Sequence, residues 1–208
     1  MSGEANAVHS DLLPEDRARA DQYALLARLF YRGPDEALLA AISESAIHDQ
    51  AESSVAGDVT QAWAAVVSAA SRADCIAVQQ EYDRVFIGTG MAAVTPYASF
   101  YLGDTGREKV LVRLRDDLAS FGLARNETAA EPEDHFAGLF DVMRHLVLAG
   151  SDDASLARQQ QFFARYIERA YPLFCDAAIC CEAASFYSLV ARFAKTFLFV
   201  DASAMLMV

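Results

Sequence analysis

Cationic residues are scarce in this chain. Seventeen Lys+Arg stand against 29 Asp+Glu in 208 residues, a formal net charge of −12. Phosphate backbones are bound through cationic surface, so the deficit argues against free DNA or RNA as a partner and disfavours an anionic membrane surface. Cysteine is also sparse. Cys75, Cys175, Cys180 and Cys181 form no CxxC pair and no Cys/His zinc spacing. Free thiols in a reducing cytoplasm are the simpler reading; redox activity of the adjacent Cys180 and Cys181 is the alternative. The histidines are His9, His48, His135 and His145, with no HxxxH pair, and there is no GxSxG. Gly88-Thr89-Gly90 follows a helical pattern instead of a strand and has no nearby lysine, so it reads as a helix terminator more than a phosphate loop. Long apolar runs are missing too. The most apolar stretch, 185–200, is interrupted by Arg192 and Lys195 and is short for a bilayer, so it is expected to be a buried core helix. The N-terminal residues show no apolar run after a basic start, so no signal peptide is expected.

What is abundant is apolar residues at helical spacing. At 54% hydrophobic the chain has the means to build a core, which excludes wholesale disorder. No segment alternates with period 2. Tyr23, Leu26, Leu29 and Phe30 make a stripe entered near Pro14; Leu38, Leu39 and Ile42 follow Pro34-Asp35. Val59, Trp63, Val66, Val67 and Ala70 make another. Asp74 is placed to cap a helix carrying Cys75, Val78, Tyr82, Val85 and Phe86. Beyond a loop with Gly88, Gly90 and Pro96, Asp104 or Thr105 is expected to cap a helix ending at Gly122. Pro132 is expected to open the next, with Phe136, Leu139, Phe140, Met143, Leu146 and Val147 inward. Ser151 is expected to cap a further helix that Pro172 ends. The expectation is one all-α domain over 1–208, a bundle of about eight or nine helices, with 1–12 flexible.

Two segments carry candidate chemistry. In Glu131-Pro132-Glu133-Asp134-His135, acids and a proline suit a helix start, where carboxylates complement unpaired N–H groups. His135 fits that reading poorly as a cation, but a neutral imidazole can exchange a hydrogen bond there. A metal held by Glu131, Asp134 and His135 is the other reading of the same residues. In Pro96-Tyr97-Ala98-Ser99-Phe100-Tyr101, three aromatics in a short stretch either line an apolar groove with hydroxyls at its rim or cap the core.

Taken with Glu81-Tyr82-Asp83-Arg84-Val85-Phe86-Ile87-Gly88, these segments resemble the TorD/DmsD family, related to the NarJ type. That family shows an aromatic-x-x-Leu-Phe segment and, further on, Glu-Pro-x-Asp-His. Tyr82 and Phe86 match the first, with Val85 in place of leucine, and 131–135 match the second in full. The resemblance implies a single all-helical domain, monomeric or a domain-swapped dimer. It implies a cytoplasmic chaperone and not an enzyme; some members of the family are proposed to contact nucleotide or molybdenum cofactor, but no residue pattern here points to one and no cofactor is expected. Such a chaperone binds the twin-arginine signal peptide or the apo form of a molybdenum-containing oxidoreductase, assists cofactor insertion and delays export until folding is complete. Carried over by position, the client-binding residues are Tyr82, Phe86, Pro96, Tyr97, Tyr101, Glu131, Asp134 and His135. Formate dehydrogenase-type, dimethyl sulfoxide reductase-type and trimethylamine oxide reductase-type enzymes all stay open as clients, with the stretch from Arg107 to His135 leaning slightly to chaperones of the formate dehydrogenase type.

Overall fold

A computed structural model describes residues 12–45, 54–88, 91–103, 106–123 and 131–207. Among these are ten α-helices and no strand beyond one isolated pairing. The first four are α1 (Pro14–Tyr31), α2 (Glu36–Glu44), α3 (Ser54–Ala70) and α4 (Cys75–Tyr82), the last running into a π-helical turn, Asp83–Ile87. Next come α5 (Ala98–Tyr101), α6 (Arg107–Ser120) and α7 (Phe136–Ala149). Then α8 (Asp153–Phe162) leads into a second π turn, Phe163–Ile167, followed by α9 (Tyr171–Ile179) and α10 (Phe186–Met205).

Local chemistry accounts for most ends. Pro14 opens α1 with Glu15 and Asp16 in the first turn. Asp35 accepts from the Leu38 N–H at 2.9 Å, and Asp74 from Ile76 N–H at 3.1 Å, as their sequence positions predict. After α6, Gly122 takes φ +74°, and the Leu123 N–H reaches the Leu118 carbonyl at 2.9 Å, the 6→1 bond that closes a helix behind a left-handed residue.

Several ends differ from expectation. Asp104 and Thr105 lie outside the described residues; Gly106 precedes α6. Asp152, not Ser151, caps α8, accepting from the Ala154 and Ser155 N–H groups at 3.0 Å. Pro172 does not end a helix but sits in the first turn of α9, where its missing N–H leaves no bond unmade. Pro132 does not open α7, which begins at Phe136.

The core is one continuous cluster. Helix α1 lies against α7, while α10 packs on α3 and α9. At its centre Phe30 meets Phe174 at 5.1 Å and Phe86 at 5.8 Å between ring centroids, and Phe136 stacks on Phe174 at 4.2 Å. Each such fully buried ring contributes about 1.5–3 kcal/mol of transfer free energy.

Two buried carboxylates pin α10 near its ends. Near the N-terminus Glu81 accepts from the Ser185 and Tyr187 N–H groups at 2.8 Å and from Phe186 N–H at 3.2 Å. These donors have no intrahelical partner and a partial positive charge, so a carboxylate suits them. Near the C-terminus Asp201 receives a fork from Arg19 of α1 and the Tyr23 hydroxyl at 2.5 Å. The same guanidinium donates to Gln159 at 2.6 Å, whose amide in turn donates to the Leu146 and Gly150 carbonyls. The network ties α1, α10, α8 and the end of α7 together. Its carboxylate is paired and hydrogen-bonded, which is what permits a charge to be buried.

Candidate functional site

The site is assembled by the loop after the first π turn. Gly88 stops that turn with φ +64°, and a Cβ there would lie 2.3 Å from the Met91 carbonyl oxygen, so only glycine fits. The Val94 N–H then bonds the Val85 carbonyl at 2.8 Å, folding the chain back and delivering Thr95, Pro96 and Tyr97 alongside residues 131–136. There the two segments pair as a single antiparallel bridge between Tyr97 and His135. The Ala98 N–H donates to the Asp134 carbonyl and the Phe136 N–H to the Pro96 carbonyl, each at 2.9 Å. The Asp134 carbonyl and the Phe136 N–H are thus taken by the 96–98 segment, and the His135 N–H closes a turn onto the Pro132 carbonyl at 3.1 Å, just before α7 starts.

The side chains lock the pairing. Asp134, only 3% exposed, accepts from the Ser99 N–H at 3.3 Å, at the start of α5. His135, equally buried, caps α7: its Nδ1 accepts from the Ala137 N–H at 3.1 Å. An Nδ1 that accepts carries no proton, so the imidazole is the neutral tautomer with hydrogen on Nε2. Burial drives its pKa below the usual histidine value, against the opposing pull of Glu131 and Asp134. The Tyr97 ring meets the imidazole edge-on at 5.3 Å, and its hydroxyl donates to Glu131 at 2.5 Å. Burial first, then the bond to Glu131, pushes the Tyr97 phenol pKa well up, so it stays a donor. Tyr101 donates to the Thr95 carbonyl at 2.9 Å, and burial moves its pKa up to about 12.

Of the expected client-binding residues, the fold brings Pro96, Tyr97, Tyr101, Glu131, Asp134 and His135 into one place. Tyr82 and Phe86 form the layer behind. Tyr82 donates to the Phe30 and Tyr31 carbonyls, and Phe86 is packed among Phe30, Phe174 and Tyr187. Exposure divides the set. Pro96, Asp134 and His135 are buried; Tyr97, Tyr101 and Glu131 are half-buried beside exposed Pro132 and Phe100, with the Tyr101 ring packed on buried Phe136 and Phe174, 6.2 Å from each. Asp134 and His135 thus organise backbone, and of the six, Tyr97, Tyr101 and Glu131 keep accessible surface. The metal reading finds little here, since one oxygen of Asp134 and Nδ1 of His135 already hold backbone N–H groups. Among the described residues no group of three or more His, Cys, Asp or Glu is placed to hold a metal ion.

Two contacts at the site have no counterpart in the sequence pattern. Arg115 of α6 forks onto Glu133, Nε to one carboxylate oxygen at 2.9 Å and Nη2 to the other at 3.1 Å. Arg107 lies over the half-exposed Phe100 ring at 5.0 Å, a cation–π contact. Arg115 and Glu133 are 18 residues apart, and no helical spacing links them.

An all-helical domain in which an aromatic segment pairs with an acidic Glu-Pro-x-Asp-His turn is the class that the fold and site define. The family model of the nitrate reductase delta subunit matches residues 52–176, which is more than half of the chain, and the chain belongs to that family, the one shared by NarJ and TorD. Among similar proteins, the chaperone protein TorD of Vibrio cholerae (strain O395) is 26% identical over 88% of this chain and 90% of its own length. The chaperone protein TorD of Vibrio parahaemolyticus is 23% identical over 61% of this chain, and the match spans 63% of that relative's length, under two thirds. A putative redox enzyme maturation protein from Archaeoglobus fulgidus shares the fold, with a TM-score of 0.57 and 17% identity over 88% of this chain and 93% of its own. The resemblance read from residues 81–135 and the expected all-α, TorD-like fold are borne out; the helices number ten among the described residues, not eight or nine. The curated relatives are chaperones, not enzymes. Among the described residues, no helix is long and apolar enough to cross a membrane.

Proposed function

We propose that the protein is a cytoplasmic chaperone for a molybdenum-containing oxidoreductase. It holds the precursor's twin-arginine signal peptide, and the apo form behind it, until cofactor is inserted, so that export waits for folding. The observation that carries this reading is the joining of the two distant motif segments through the Tyr97–His135 bridge, beside which Tyr97, Tyr101 and Glu131 stay half-exposed. A twin-arginine peptide offers guanidinium groups followed by an apolar stretch. Glu131 supplies a carboxylate for the first, and Tyr97, Tyr101, Pro132 and Phe100 supply a largely apolar wall for the second.

The energetic shares follow from exposure. A solvent-exposed ion pair contributes about 0–1 kcal/mol, whereas micromolar binding requires about 8 kcal/mol. Apolar contacts therefore supply most of the affinity, and charge sets orientation and association rate. Calorimetric titration with a synthetic twin-arginine signal peptide tests this. Tyr97→Ala is expected to weaken binding about tenfold or more, Glu131→Gln by a smaller factor, and added salt only modestly. A signal peptide bound equally by wild type and Tyr97→Ala, or by neither, refutes the reading.

A further inference from the structure

The site already contains an arginine of its own. The Arg115 guanidinium lies across the Glu133 carboxylate with both bonds of the fork made, at 2.9 and 3.1 Å. The exposures are lopsided: the Arg115 side chain is 54% exposed, the Glu133 side chain 9%. Arg115 thus works as a lid on a carboxylate that the fold has otherwise drawn in, and the lid faces solvent. Glu133 stands two residues from Glu131 and next to Asp134, inside the acidic turn itself.

We propose that Arg115 is a built-in stand-in for the client's arginine. It occupies Glu133 in the empty chaperone and is displaced by an incoming guanidinium, so that Glu133 and Glu131 together receive the two arginines of the peptide. This deepens, and rests on, the signal-peptide reading above. Three observations support it. The bidentate fork is the geometry by which a carboxylate selects arginine over lysine, so a site that fits Arg115 fits another guanidinium. The pair is displaceable from its guanidinium side: Arg115 is 54% exposed, so it returns to water when released, unlike the buried Arg19–Asp201 pair, whose disruption would leave a charge stranded in the core. Finally, replacing one fork by another restores every bond that is broken, so the exchange incurs no net loss of hydrogen bonds. The consequence is specificity. A lysine-bearing or neutral segment cannot recover the fork given up by Arg115, so the internal arginine raises the threshold for every ligand except one carrying arginine.

The test is a set of titrations against two peptides, the twin-arginine signal peptide and its twin-lysine counterpart. Arg115→Gln removes the competitor. It is expected to bind the twin-arginine peptide about three- to fivefold more tightly, the range open to an exposed ion pair, and to discriminate less between the two peptides. Glu133→Gln is expected to weaken arginine-peptide binding, and in the double variant Arg115→Gln/Glu133→Gln the gain from losing Arg115 should vanish. Thermal unfolding of each variant checks that the fold is intact; Arg115 is 54% exposed, so Arg115→Gln is expected to change little, and Glu133→Gln, at a side chain 9% exposed, to shift the midpoint more. If wild type binds the peptide and Arg115→Gln binds it equally or more weakly, with discrimination unchanged, Arg115 merely positions the turn and this inference fails alone. If neither wild type nor Arg115→Gln binds any twin-arginine peptide, the signal-peptide reading fails and this inference falls with it.

Discussion

Replacing Glu81 is the sharpest test of how the site is supported. Its carboxylate is 6% exposed and accepts from three consecutive N–H groups at the start of α10, two at 2.8 Å and one at 3.2 Å. Glu81→Ala strands those donors. The Phe186 and Tyr187 N–H groups are buried, while Ser185 can turn to water. A buried donor left unpaired costs about 1–3 kcal/mol, so two cost about 2–6 kcal/mol, and the lost charge–dipole attraction adds up to about 1 kcal/mol. Against a total stability of about 5–15 kcal/mol this is large. At about 2–4 °C per kcal/mol for a chain this size, the melting temperature should fall by roughly 10 °C. Glu81→Gln keeps one accepting oxygen and should lose only about 1–2 kcal/mol. Urea titration followed by far-ultraviolet circular dichroism reads both values. The effect should extend to the site, because Tyr187, next along α10, packs on Tyr82 and Phe86 at 5.5 and 5.1 Å. Glu81→Ala within about 0.5 kcal/mol of wild type, or Glu81→Gln as damaging as Glu81→Ala, would refute the reasoning.

His135 gives a pH signature. Its folded pKa is depressed by burial, so on acidification the unfolded chain takes up the proton first; stability is intact above the unfolded value of about 6.5 and declines as pH falls below it. Denaturation midpoints from pH 8 to pH 5 should show that decline in wild type and a shallower one in His135→Asn, which retains a capping acceptor; equal slopes would sink the assignment. The Arg19–Asp201 pair offers a contrast with Arg115. Arg19→Ala should destabilise by about 3–5 kcal/mol, since it leaves Asp201 buried with only Tyr23 as donor, while Arg19→Met combined with Asp201→Leu should recover most of that. Chemical denaturation of the three variants decides it, and a near-zero effect of Arg19→Ala would show that water enters the network.

Much of the fold was legible in local pattern. The buried residues of α1, α7 and α10 repeat at helical spacing, and each such stripe predicts its own inward face without reference to the others. Caps such as Asp35 and Asp74 read correctly because they act on N–H groups two or three residues away. Expectation erred where a distant segment intervened. Pro132 and the acids after Glu131 carry every sign of a helix start, yet α7 begins at Phe136 because the 96–98 segment takes the preceding backbone groups.

The site divides along the same line. Sequence alone determined an all-helical chain, its acidic charge and the two motifs whose residues meet at the site, since spacing and composition are local properties. Only the tertiary structure decided which of those residues keep accessible surface. Asp134 and His135 look like ligands in sequence but are turned inward, because unpaired backbone donors at Ser99 and Ala137 need acceptors more than solvent does. It also decided that Arg115 lies on Glu133, that Glu81 holds α10 and that Asp201 holds α1. Bonding partners separated by 18, 106 and 182 residues have no shared periodicity to reveal them; packing alone brings them within bonding distance.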